Sequence, residues 1–157
     1  MKKFIVVIAT LALGAVAAFA QDMAVATETY NNGVTTLQAG DKTAALGLFE
    51  EALALGEACG EDGAELVANC KSAIPGLILS IAKTNINEAK YDEAIANLAK
   101  AEAKAKEYGA DDVAGEAANL VSNVYLRKGA ALLEAKDMAG AAEALKVVTA
   151  AEPSNGN

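Results

Sequence analysis

The stretch "AKYDEAIANLAKAEAKA", Ala89–Ala105, decides the fold, because three of its residues recur at the same spacing twice more in the chain. Ala94, Leu98 and Ala101 form one set; Ala45, Phe49 and Ala52 form a second, and Ala141, Leu145 and Val148 a third. Twelve residues ahead of each set stands a small residue: Gly33, Ala82 and Gly129. A polar turn lies between, "AGDKT" at 39–43, "EAKYD" at 88–92 and "AKDMA" at 135–139. Self-similarity at a fixed period is the mark of a repeat architecture.

Composition says what the repeated element is. The 157 residues are 54% hydrophobic but only 4% aromatic, with no Trp, no His and two prolines. Alanine has the highest helix propensity and breakers are few, so the chain reads as all-α. A core of Ala, Leu, Ile and Val is thin, and small side chains let helices approach closely. A small residue late in a first helix lets a second helix cross it. The alanine after the turn is the contact from the other side, and the large apolar residue four positions on fills the space beside them. Each unit is then an antiparallel helix pair that buries its apolar face by stacking on a neighbour. The expected packing residues are Gly33, Ala45, Phe49, Ala52, Ala82, Ala94, Leu98, Ala101, Gly129, Ala141 and Leu145.

The segment "YNNGVTTLQAGDKTAALGLFEEALALG", 30–56, resembles a tetratricopeptide repeat: Tyr and Asn ahead of the Gly, a Gly-Asp turn, then A-x3-F-x2-A. Ala89–Ala105 carries the Tyr-Asp-Glu-Ala-Ile entry of that repeat, and the third copy carries Tyr125, Gly129, Asp137 and Pro153. The resemblance implies a right-handed α-solenoid of three antiparallel helix pairs, with repeats at about 26–58, 62–108 and 111–152 and a disordered tail at 153–157. One departure is plain. The family's period is about 34 residues, whereas the anchors here stand 49 and then 47 apart. The extra residues, "GEACGEDGAELVANCKSA" and "KEYGADDVAGEAANLVS", read as lengthened first helices over Asp62–Glu88 and Asp111–Ala135. Pro75 falls inside the former and predicts a kink or break near Ala73.

Residues 1–20 stand apart from the fold. Lys2 and Lys3 precede "FIVVIATLALGAVAA" and then Ala18-Phe19-Ala20, the charged, apolar and small-residue order of a secretory signal peptide. A transmembrane anchor is the competing reading, for which the apolar run is short. Removing the leader takes the net charge from −8 to −10, a balance that repels phosphate backbones and anionic lipid. The expected compartment is the bacterial periplasm, with secretion the alternative, and no nucleic-acid binding or membrane insertion of the mature chain.

Chemistry is sparse. Without His there is no Ser-His or Cys-His pair and no imidazole ligand, so neither a catalytic residue nor a metal site nor a cofactor is expected. Acid pairs such as Glu50-Glu51, Glu61-Asp62, Asp92-Glu93 and Asp111-Asp112 suit helix starts and solvated faces. Cys59 and Cys70 leave three readings open: a structural disulfide, two free buried thiols, or redox and metal chemistry.

The function expected is therefore non-catalytic. By resemblance, a peptide or protein partner would lie along the concave face of the first helices, on Tyr30, Val34, Leu37, Gln38, Leu79, Lys83, Ile86, Asn87, Leu126, Ala130, Leu133 and Glu134. Many of these could equally pack between stacked helices. The last helix, about Met138–Ala151, runs into "EPSNGN" with no solvating helix after it. That open end points to self-association, to a partner, or to a truncated chain. A self-associating structural unit and a binder of small molecules or cell-wall fragments are the alternative functions.

Overall fold

The computed structural model describes residues 22–151, so the expected signal peptide and the 153–157 tail lie outside the described residues. Those residues form six α-helices and no strand. They are α1 (22–38), α2 (Lys42–Ala58), α3 (Ala64–Asn87), α4 (Tyr91–Tyr108), α5 (Asp111–Glu134) and α6 (Met138–Ala151), with a 3-10 turn at Gly60–Gly63 between α2 and α3. The long sequence period is taken up by α3 and α5, of 24 residues each against 17 and 18 for α2 and α4.

The three polar turns share one backbone. Gly40, Ala89 and Lys136 all sit in the left-handed region, at φ 93°, 58° and 61°. Each N–H donates to the carbonyl three residues back, Leu37, Ile86 and Leu133, at 3.0, 3.2 and 3.0 Å. The next N–H, of Asp41, Lys90 or Asp137, reaches five residues back to Thr36, Asn85 or Leu132. This paired 6→1 and 5→2 bonding is the Schellman end of a helix, found here three times in one register. The following helix starts differ: Asp41 Oδ1 accepts from Ala44 N and Asp137 Oδ1 from Gly140 N, both at 2.9 Å, whereas Lys90 gives no side-chain cap.

Of the kink or break expected near Ala73, the break is absent: α3 runs on through Pro75. The proline lacks the N–H that would bond the Lys71 carbonyl, yet α3 is helical on both sides of it. Ile74, Leu77 and Ile78 are at most 7% exposed. Burial of this kind outweighs local propensity in most protein helices. Among the described residues, Gly60–Asn87 is also the segment long and apolar enough to cross a membrane. Eight of its hydrophobic side chains, from Leu66 to Ile86, are buried in the fold.

The fold divides between Ile74 and Pro75 into two compact units. In the first, α1 meets α2 where the Tyr30 and Phe49 rings lie 5.3 Å apart at a tilt of 58°. A Cβ on Gly33 would stand 3.2 Å from the Phe49 ring, so only a very small residue leaves that ring its place. The second unit packs α4 on α5 and α5 on α6. Ala94, Leu98 and Ala101 are fully buried there, as is Val124 of α5. A Cβ on Gly129 would lie 2.8 Å from Leu145 Cγ. Leu145 and Val148 are only half-buried, while their counterparts Leu98 and Ala101 are closed off.

Candidate protein-interaction surface

The first-helix residues named from the sequence divide sharply by exposure. Leu79 and Ile86 of α3 are 4% and 9% exposed. They belong to the core, so they leave the set of surface contacts. Leu126 and Leu133 of α5 occupy the same register, 47 residues on, and are 47% and 45% exposed. Apolar side chains at corresponding positions, Leu79 and Leu126, Ile86 and Leu133, are therefore closed in one case and open in the other. Ala130 and Glu134, between and beside the two leucines, are exposed as well.

In the first unit, Leu37 and Gln38 are exposed and Tyr30 and Val34 half-buried, Tyr30 being held by Phe49. In the second unit, Lys83 and Asn87 are exposed, and Lys83 Nζ pairs with Glu116 Oε1 at 2.7 Å, tying α3 to α5. Both partners are about half in water, where such a pair contributes under about 1 kcal/mol.

Lys128 reaches from α5 to pair with Asp92 in the first turn of α4. These two help line a groove of about 450 Å³ with Tyr125, Leu132, Glu143 and Val147. Sequence reasoning took Asp92 only as a helix-start residue and missed this bond, because the two residues lie 36 apart. A second groove, of about 310 Å³ in the first unit, runs along Met23, Thr27 and Tyr30 of α1 and Leu66 and Asn69 of α3.

Asp137 also lines the first groove, which thus carries the carboxylates of Asp92, Asp137 and Glu143 beside Lys128 and Tyr125. Among the described residues no three His, Cys, Asp or Glu side chains come together as metal ligands. The carboxylates of Glu61, Asp62, Asp111 and Asp112 are exposed in the first turns that follow Cys59 and Ala110. Both thiols are free: Cys59 is half-buried at the end of α2, and Cys70 is fully buried in α3, where burial pushes its thiol up from the ordinary range. At the end of α4, Lys104 donates to Glu107 and Tyr108 at 2.8 and 3.2 Å. Those bonds, Glu107 first, hold its ammonium well above the usual lysine range.

No family model, no curated protein and no solved structure matches the chain.

Proposed function

We propose that this chain is a non-catalytic interaction protein of the cell envelope, a tetratricopeptide-like, right-handed solenoid of three helix pairs that binds a protein partner on the outer face of α5. The observation that carries this is the contrast within one register. Leu79 and Ile86 are closed at 4% and 9%, while Leu126 and Leu133 stand open at 47% and 45%. An apolar pair of this size left in water costs free energy that a protein surface would recover by covering it. The three turns support the repeat reading, since the same left-handed helix end recurs at corresponding positions, Gly40, Ala89 and Lys136, although two of these residues are not glycine. Export, and with it the periplasm, is carried by the composition of residues 1–20.

The test is photo-cross-linking in cells from a reactive amino acid placed at Leu126 or Leu133, with Ala103 of α4, which is exposed, as the control position. Protein adducts from Leu126 and Leu133 but not from Ala103 support the proposal. Absence of adducts at both leucines removes it.

A further inference from the structure

We infer that the occupant of the α5 face is a second copy of this chain, crossing the first about a two-fold axis at Ala130. The inference rests on the proposal that this face binds protein, and names the protein.

The patch is complementary to itself. Ala130 is exposed and small, and Leu126 and Leu133 stand four residues before it and three after, both nearly half exposed. Arg127 and Glu134, both exposed, flank it three residues before and four after. Two such helices crossing at Ala130 in opposite directions bring Leu126 of one copy to Leu133 of the other. The same crossing brings Arg127 to Glu134, and the symmetry repeats each contact, as an isologous interface requires. A small residue at the crossing point lets the two backbones approach.

Comparison along the register shows that this charge pair is particular to the open copy. The positions of Arg127 and Glu134 are Ser80 and Asn87 in the middle copy and Asn31 and Gln38 in the first, all uncharged. The chain as a whole carries −8, so two copies repel over most of their surfaces, whereas this patch carries one positive and one negative group. End-to-end stacking on α1 of another copy is a poor match. Val124 of α5, fully buried, corresponds to Glu28, and Lys128 to Asn32, both exposed. Such stacking would lay a charge and an amide over the leucines.

The experiment is sedimentation equilibrium on the purified chain over a range of concentrations, with circular dichroism to check that each variant is folded. The wild type is expected at twice the chain mass at high concentration, dissociating on dilution, and Leu126→Asp at the mass of one chain. Arg127→Glu, which sets Glu against Glu twice, should weaken association at least about tenfold. Adding Glu134→Arg should restore it, because the swap exchanges both ends of both pairs. A monomer at every concentration overturns the inference, as does a dimer indifferent to Leu126→Asp or a charge swap without rescue. Monomeric protein that still cross-links to another protein through Leu126 overturns the second copy and leaves the protein-binding face standing. Monomeric protein with no adduct overturns both.

Discussion

Exchanging residue types between two register-equivalent turns should move stability in opposite directions. Gly40 has φ 93° and a Cβ placed on it would meet nothing within 4 Å. Gly40→Ala therefore reports on the backbone alone. A left-handed conformation costs a residue with a Cβ about 1–2 kcal/mol. Removing a glycine from the unfolded chain returns about 0.4–1 kcal/mol. The difference leaves Gly40→Ala destabilising by about 0.5–1 kcal/mol. At Ala89, φ is 58° and the residue already carries the Cβ, so Ala89→Gly should stabilise by a similar amount. In a chain of this length each change is a shift in melting temperature of roughly 1–4 °C. Thermal and urea unfolding followed by circular dichroism measure both. Shifts of the two variants in the same direction, or an Ala89→Gly variant that loses about 1 kcal/mol like glycine in a helix interior, would contradict the left-handed assignment as the cause.

Leu98 is fully buried, so Leu98→Ala should cost about 2–5 kcal/mol, whereas Leu145→Ala, at the half-buried position of the same register, should cost about half as much or less in the same urea titration. Burial raises the Cys70 thiol, so its contribution to stability is complete below the ordinary thiol range and is lost as pH rises through the folded value. Urea midpoints should therefore fall from about pH 9 upward, and less steeply in Cys70→Ala. Lys83→Ala, which removes a half-exposed pair with Glu116, should change stability by less than about 1 kcal/mol, and high salt should erase the difference.

Much of the helical fold was legible because its determinants are local. Ala45, Ala94 and Ala141 had to be small wherever a helix crosses, and each is at most 1% exposed. Even the lengthened helices could be read, Asp111–Ala135 against the observed Asp111–Glu134. The turns were harder. A left-handed residue announces itself as glycine at Gly40, but Ala89 and Lys136 hold the same conformation with side chains that give no sign of it. At Pro75 the helix does not break, its neighbours Ile74 and Ile78 being buried in the fold. The surface was least legible. Leu79 and Leu126 are the same residue type in the same register, yet one is 4% exposed and the other 47%. Periodicity identifies an apolar face; it carries no record of what covers it.

Single-cysteine labelling reads that difference in exposure directly. In a Cys59→Ser background, where Cys70 is buried, cysteine is placed in turn at Leu79, Ile86, Leu126 and Leu133, and maleimide labelling rates are measured in dilute native protein. Fast labelling is expected at 126 and 133, and labelling at 79 and 86 only on unfolding. Equal rates at all four positions would contradict that difference in exposure.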